Sequence, residues 1–306
     1  MRYNCAMPAD ISLLRYDLHS HSLASDGTLA PAQLVQRAQA AGVQVLALTD
    51  HDETGGIAEA QAAASSCELQ LVPGVEISVT WGAMTIHIVG LHIDPGAPLL
   101  QEGLTELRKF RDWRAEEIGR RLARHGIAGA YEGALRYASG RIVSRTHFAK
   151  FLAAEGHAEN SREVFKHFLR RNKPGHVPGQ WATLEQAVGW IHAAGGMAVV
   201  AHPARYDLTA TRRRKLLGEF VECGGEGIEV VSGSHSRDDC ISTAQYARQF
   251  KLFASAGSDY HGPENPWLEL GRLPPFPDNT PQPIWSSERW AELVRRQPLP
   301  ALSGAA

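Results

Sequence analysis

The sequence predicts an α/β protein built on a parallel sheet, either open or closed into a barrel. Three observations carry that prediction. Short apolar runs alternate with amphipathic stretches over most of the chain. Three of the helical stretches stop at glycine (Gly42, Gly195, Gly224), and most of the apolar runs lead into His, Asp or Glu. A length of 306 residues, 43% of them apolar and 21% charged, is enough to bury a substantial core.

The elements follow in order. Arg15–His19 opens as a strand, and Thr28 is placed to cap a helix over Pro31–Ala41. Leu34, Val35, Ala38 and Ala41 recur there at helical spacing, and Gly42 ends the run. Val43–Thr49 reads as a buried strand, Ile57–Ser65 as a helix, and Leu69–Ser78 and Met84–His92 as strands. The rhythm returns with a helix over Leu184–Ala194, closed by Gly195–Gly196, and a strand over Met197–Ala201. A helix over Arg212–Cys223 stops at Gly224 before a strand at Gly227–Val231, and a helix at Asp238–Phe250 precedes a strand at Leu252–Ser255. No internal repeat of fixed period is visible.

The stretch 101–180 breaks this pattern. It is helical by spacing (Leu104, Leu107, Phe110, then Phe148, Phe151, Leu152) and carries 16 Lys+Arg against 9 Asp+Glu. That is +7 in a chain of net charge −2, which leaves −9 elsewhere. The organisation expected is therefore a discontinuous body over 13–100 and 181–273, a basic helical insertion over 101–180, and a tail over 274–306. The tail has five prolines in the ten positions Pro274–Pro283, so it is expected to run extended over the surface to a short helix near Ser287–Arg295. The run TRRRK at 211–215 reads as a solvated helix face.

A net charge of −2 excludes a polycation that coats duplex DNA. No apolar run reaches the roughly 18 residues of a membrane helix, and the opening MRYNCAMPAD has no apolar core of a secretory signal. Cys5, Cys67, Cys223 and Cys240 are far apart with no CxxC, which reads as reduced thiols in a cytoplasmic protein.

The chemistry collects at the ends of the strands. The first ends in Asp17-Leu18-His19-Ser20-His21 with Asp26-Gly27 after it, and the second in Thr49-Asp50-His51. The third leads into Gly74-Val75-Glu76, a later one into Ala201-His202-Pro203, and the last into Ser258-Asp259-Tyr260-His261. In parallel α/β folds these ends open on one rim. His19 and His21 lie two apart, so on an extended backbone both point to one side, and Asp259 and His261 repeat the spacing. Imidazole and carboxylate without thiolate suit Mn, Zn, Fe or Mg, and eight such residues exceed the needs of one ion.

His19-Ser20-His21-Ser22 with Ser25-Asp26-Gly27, Thr49-Asp50-His51-Asp52, Ala201-His202-Pro203 and Ser258-Asp259-Tyr260-His261 together resemble the four motifs of the PHP phosphoesterases, over Arg15 to His261. That resemblance implies a distorted (β/α)7 barrel with a helical insertion, holding two or three divalent ions on its C-terminal rim. Manganese is expected first, with zinc, iron or magnesium as alternatives. Carried over, His19, His21, Glu76 and Asp259 would hold one ion. Glu76 would bridge to a second, which His202 also binds, and Asp26, His51 and His261 would hold a third. Asp50 would orient a ligand. His87 either completes the second ion or faces the core or substrate, and the latter is preferred; His92, five positions on, faces the other side of the strand as a structural residue.

Within the insertion, Ser144-Arg145-Thr146-His147-Phe148-Ala149, then Phe165–Leu169 and Asn172-Lys173-Pro174, are similar to a bacterial PHP subgroup acting on 3′,5′-nucleoside bisphosphates and on short RNA or RNA 5′ ends. The subgroup's Arg-Pro-His is Arg145-Thr146-His147 here, and its Tyr near Lys173 is His176. The match implies substrate contacts from Arg145, His147, Asn172, Lys173 and His176, while Lys150 and Arg171 read as surface charge. Three divalent ions against the carboxylates of Asp26, Glu76 and Asp259 leave about +3, which favours a phosphate dianion. The expectation is a metal-dependent phosphoesterase releasing the 3′-phosphate of a nucleoside 3′,5′-bisphosphate. His235, beyond the Gly227–Val231 strand, is the candidate general acid or phosphate ligand. The rivals are a histidinol-phosphate phosphatase or other small phosphomonoesterase, an amidohydrolase-type deaminase, and a non-catalytic PHP module that binds nucleic acid or a partner.

Overall fold

A computed structural model describes residues 15–296; Cys5, the opening stretch and the end of the tail lie outside the described residues. Seven strands form one sheet in the order of the sequence: β1 Tyr16–Asp17, β2 Val45–Leu48, β3 Gln70–Trp81, β4 Met84–Leu91, β5 Met197–Val200, β6 Gly227–Ser232 and β7 Phe253–Gly257. Backbone bonds beyond the strands join the two edges. Leu18 N–H donates to Ala256 O, Asp259 N–H to His19 O and His21 N–H to Tyr260 O, each at 2.9 Å. The sheet thereby curls into a distorted barrel.

The sheet is mixed, where a parallel one was expected. β4 runs antiparallel to both β3 and β5. The reason is local: two residues, Gly82 and Ala83, separate β3 from β4, too few for the crossover that a parallel pair needs. Reversing β4 sends its last residues to the opposite end of the barrel from the other strand ends, and this decides where His92 lies.

Alternation along the strands builds two layers. Leu46, Leu48, Ile88, Val200, Ile228 and Ala254 pack outward under the helices α1 (Pro31–Ala40), α2 (Ile57–Ala64), α7 (Leu184–Ala193), α8 (Ala210–Glu222) and α9 (Arg237–Phe250). Val45, Ala47, Val72, Val89, Leu91, Met197 and Val199 fill the inside. Side-chain caps fix three of the helix starts, through Thr183 on α7, Thr209 on α8 and Ser236 on α9.

The helices of the insertion are α3 (Pro98–Arg124), α4 (Ala130–Leu135), α5 (Arg145–Ala154) and α6 (Ser161–Val164), the last running into a π turn at Phe165–Leu169. No sharp boundary falls at residue 101. The first half of α3 packs Leu100, Leu104 and Leu107 into the main core. Its second half starts a separate core of Ala115, Ile118 and Leu122 with Phe148, Leu152, Val164 and Leu169. The tail adds an anchor that the sequence reading did not foresee. Its proline-rich stretch has no regular helix and stays largely at the surface, as expected, and beyond it Ile284, with Trp290 and Leu293 of α10 (Glu288–Arg296), joins the interior cluster of the barrel. Among the described residues no helix is long and apolar enough to cross a membrane, and Cys67, Cys223 and Cys240 are free thiols.

His92 follows β4 in a left-handed conformation (φ 55°) and is 1% exposed. Its ring meets Trp290 edge-on at 4.3 Å, and neither ring nitrogen has a hydrogen-bond partner among the described residues. Burial without a partner pulls its pKa down from 6.5 to about 4. A histidine depressed on folding stabilises the fold above its unfolded pKa, and that contribution is lost as pH falls toward the folded one. Between pH 6.5 and about 4 the loss is up to about 3 kcal/mol. His92→Asn, which tolerates positive φ and does not titrate, should lose less stability than the parent across this window in urea unfolding; equal losses would show that His92 does not set the acid limit.

Candidate active site

The rim formed by the ends of six strands carries the histidines and carboxylates, and the local sequence explains how each is presented. Gly257 lets β1 close on β7, since a Cβ there would lie 2.3 Å from that of His19. After His21 the chain folds back so tightly that a Cβ on Gly27 would lie 2.5 Å from the His21 carbonyl oxygen. Asp50 holds this loop: it accepts the Ser22 N–H at 2.8 Å, the Ser22 hydroxyl at 2.7 Å and the Ser25 hydroxyl at 2.5 Å. Asp50 thus orients the loop bearing Asp26, and it is not among the residues that line the cavity. Asp259 adopts a left-handed backbone (φ 56°), not the extended one that its spacing from His261 suggested.

Glu76 is the hub and is fully buried. Its Oε2 lies 2.8 Å from His51 Nδ1, 3.3 Å from His21 Nε2 and 3.4 Å from His19 Nε2, and its Oε1 lies 2.9 Å from both His87 Nδ1 and His202 Nε2. Asp259 Oδ1 stands 3.2 Å from His21 Nε2, and Asp26 Oδ1 3.3 Å from His261 Nε2. Three groupings have the convergence that an ion requires: His19, His21, Glu76 and Asp259; His21, Asp26, His51 and His261; and His51, Glu76 and His87. His87 therefore faces the cluster and the cavity, with its Nδ1 3.4 Å from His202 Nε2; of the core or substrate-facing placement preferred from sequence, the core half does not hold, and the ligand role is open to it.

The donor set fits divalent cations. Glu229 sits 2.6 Å from His19 Nδ1, which makes that nitrogen the donor and leaves the Nε2 lone pair facing His21 Nε2 at 3.0 Å. Glu76 Oε2 and Asp26 Oδ1 are buried with no hydrogen-bond donor aligned on them. Lone pairs directed at a common point, from acceptors with no proton donor, are what a cation satisfies. Burial alone would raise the carboxylate pKa values of Glu76, Asp26 and Asp259, but the surrounding imidazoles hold all three well below the usual range. They remain anionic ligands. Glu229 also accepts the His202 N–H at 2.6 Å, so one carboxylate fixes two of the histidines. No motif pointed to Glu229, although a glutamate inside the apolar strand GIEVVS was the available signal.

A cationic wall faces the cluster across the same cavity. Arg111 and Arg114 of α3, Arg145 at the start of α5, and Arg205 line it, with Trp181, Phe165, Ser144 and Thr146. Arg111 is anchored by Asp52 at 2.6 Å and by the Ser78 hydroxyl at 2.8 Å. Among the described residues Arg114 hydrogen-bonds only to the Val177 carbonyl, at 3.3 Å. The Arg111 and Arg114 guanidiniums lie 5.0 and 5.4 Å from the Trp181 ring centre, and that of Arg145 lies 5.7 Å from Phe165. Burial, then repulsion from Arg145 and Arg111, lowers the Arg114 pKa to about 9, and burial followed by Arg111 and Arg205 lowers that of Arg145. A wall of mutually repelling, desolvated guanidiniums is a site for an anion.

Other residues named from the insertion motif stand elsewhere. His147 is buried, and its Nδ1 accepts the Ser144 N–H to cap α5. Asn172 and Lys173 are exposed in a turn where Asn172 has φ 63°, and neither lines the cavity. His176 is half-buried and does not line the cavity, its pKa lowered by burial and then by Arg114 and Arg145. The motif reaches the cluster through Ser144 and Thr146, whose hydroxyls donate to Asp26 Oδ2 at 3.1 and 3.2 Å. His235 is not on the cavity either. Its Nδ1 donates to Val230 O at 3.2 Å and its Nε2 accepts the Ala204 N–H at 3.3 Å, so both nitrogens are committed to backbone and neither is free to act as an acid. Arg111, Arg114, Trp181 and Arg205 were not foreseen. Arg111 and Arg114 occupy positions on α3 that continue the buried stripe of Leu100, Leu104 and Leu107, and arginines on an apolar face were the sign.

Comparison with known proteins gives consistent results. The model of the PHP domain matches residues 17–177. A Chromobacterium violaceum protein named 3′,5′-nucleoside bisphosphate phosphatase is 48% identical over 270 residues, covering 88% of this chain and 94% of its own. An Escherichia coli protein named 5′-3′ exoribonuclease Rnm is 49% identical over 259 residues, covering 84% and 88%. A solved structure from Chromobacterium violaceum, described as an amidohydrolase with bound sulfate and no metal, superposes with a TM-score of 0.87 at 46% identity over 95% of this chain and 99% of its own. A structure from Bifidobacterium adolescentis shares the fold, with a TM-score of 0.75 at 24% identity over 93% and 96%.

Proposed function

The chain belongs to the PHP domain family, and from that premise we propose that it is a metal-dependent phosphoesterase that removes the 3′-phosphate of nucleoside 3′,5′-bisphosphates. The observation that carries this reading is the pairing, in one cavity, of an ion-holding cluster with a separate wall of arginines. A substrate with two phosphates places one on each; a simple phosphomonoester leaves the arginines facing one another. The name of the Chromobacterium violaceum relative supports the same substrate.

His19, His21, Glu76 and Asp259 would hold one ion; Glu76, His87 and His202 a second; Asp26, His51 and His261 a third. Manganese is the ion proposed. Divalent ions held there would supply Lewis acidity toward a phosphoryl group and would make a bound water more acidic. The protein's own part is positioning. Glu229 fixes the His19 tautomer, Asp50 sets the Asp26 loop, and Ser144 and Thr146 tie Asp26 to the insertion. Arg111, Arg114 and Arg145 take the phosphate that is not cleaved, and the Trp181 ring beside them offers a flat face to the nucleoside. A 5′-phosphorylated RNA end presents the same two groups, and the exoribonuclease relatives support short RNA as a further substrate.

The test is phosphate release in Mn²⁺ from adenosine 3′,5′-bisphosphate, 5′-AMP and histidinol phosphate, with metal content measured on the same protein. Preference for the bisphosphate and more than one ion per chain are expected. One ion or fewer would overturn the cluster, and faster release from histidinol phosphate would overturn the two-phosphate assignment.

A further inference from the structure

Arg205 differs from the other cations of the cavity. Arg111, Arg114 and Arg145 come from the insertion, whereas Arg205 comes from the barrel, three residues after His202. One of its guanidinium nitrogens lies 2.5 Å from Asp259 Oδ2, while Oδ1 of the same carboxylate points at His21 and His19 at 3.2 and 3.5 Å. One carboxylate therefore links the histidine cluster to a guanidinium whose side chain is 51% exposed and lines the cavity. A guanidinium has five N–H donors in one plane, so the bond to Asp259 leaves others free. Arg205 is also near enough to Arg145 for their repulsion to help lower the Arg145 pKa, behind burial and Arg111. Through Asp259 it joins the ion-holding cluster to the cavity that the arginines of the insertion also line.

The turn that carries it is held on three sides. His202 has a left-handed backbone (φ 28°), and the Arg205 N–H closes the turn on the His202 carbonyl at 3.0 Å. The Tyr206 hydroxyl accepts the His87 N–H at 2.8 Å. His235 accepts the Ala204 N–H and is itself fixed on Val230 O. The buried Tyr206 ring, the half-buried His235 ring and a left-handed His202 thus serve a turn of three residues, Pro203–Arg205, of which Arg205 lines the cavity.

Resting on the phosphoesterase reading, we propose that Arg205 is a catalytic residue that donates hydrogen bonds to the oxygens of the phosphoryl group being transferred. Charge on those oxygens changes as the ester bond breaks, and a donor fixed beforehand beside them stabilises the transition state more than the ground state. Arg205 would then act on kcat, where the arginines of the insertion act on binding.

The experiment uses the full chain loaded with Mn²⁺ to matched content, comparing the parent with Arg205→Ala and Arg205→Lys. Turnover of the bisphosphate should fall about 100-fold or more in Arg205→Ala, with KM changed by about threefold or less. Added guanidinium should restore part of the loss in Arg205→Ala, because it replaces the missing donors. Calorimetric titration with inorganic phosphate gives a readout without turnover: the part of phosphate binding that appears only after Mn²⁺ loading should weaken about tenfold or more. Unchanged kcat and phosphate binding at matched Mn²⁺ would overturn the proposal and leave Arg205 as a prop for Asp259. If the parent fails to hydrolyse the bisphosphate, the functional reading falls, while the phosphate titration still decides whether Arg205 meets the anion.

Discussion

Glu76→Gln should lower turnover by about 10³-fold or more while the protein stays folded. Glu76 offers one oxygen to His19, His21 and His51 and the other to His87 and His202, so a single neutralisation removes charge from two proposed ion sites. A loss of about 4 kcal/mol of transition-state stabilisation corresponds to roughly that factor. The amide preserves size and so leaves no cavity, but it puts an N–H₂ where one oxygen accepted, which expels a cation. Metal per chain, by elemental analysis, should drop with activity. His19→Ala should behave the same way, because Glu229, deprived of its partner, still holds the His202 backbone. Full metal content with lost activity would mean that Glu76 serves the chemistry and not the ions. Loss of the folded circular dichroism spectrum in both variants would mean that the cluster is structural.

Arg145→Ala should raise KM for the bisphosphate more than it lowers kcat. A cation that grips the uncleaved phosphate acts equally in ground and transition states. Removing a charge-assisted hydrogen bond from a desolvated pocket costs about 1.5–3 kcal/mol, roughly 10- to 150-fold in kcat/KM. Arg145 carries the larger share for a structural reason: Arg111 is already neutralised by Asp52 and Arg114 is turned toward a carbonyl, while Arg145 pairs with no carboxylate among the described residues. On p-nitrophenyl phosphate, which has no second phosphate, the penalty should be far smaller. Equal penalties on both substrates would assign Arg145 to the reacting group or the fold.

Much of this site was legible because its residues obey short-range rules. HxH on a strand end, Asp26-Gly27 in a tight return and His51 beside Asp50 are each local patterns, and strand order brings them to one rim. Reading the sheet as parallel failed at β4, where the alternation of apolar residues says nothing about direction. The two-residue link Gly82-Ala83 was the clue that outranked it. The substrate wall was less legible for a different reason. The pair Arg111 and Arg114 on α3, Trp181 and Arg205 come from three distant parts of the chain that meet only through tertiary packing, and none sits in a matched motif. Motif matching instead favoured His147, Asn172, Lys173 and His176, of which the first caps a helix and the others lie off the cavity. A residue can recur in a motif because it shapes the loop as readily as because it touches a ligand.

The placement of α10 has a consequence for how the chain is made. Residues 284–296 follow every strand in synthesis order, yet Ile284, Trp290 and Leu293 belong to the barrel's interior. A nascent chain that has emerged through β7 and the turn after it holds all seven strands and every proposed ligand, but its inner apolar layer still lacks one end. Exposed apolar surface of that kind is what chaperones bind and what drives aggregation at the ribosome. The pairing of β1 with β7 that closes the barrel spans most of the chain and is therefore slow to form, and the segment that covers its inner layer is made later still. The residues proposed to hold ions are thus all made before those that cover the inner apolar layer of the barrel.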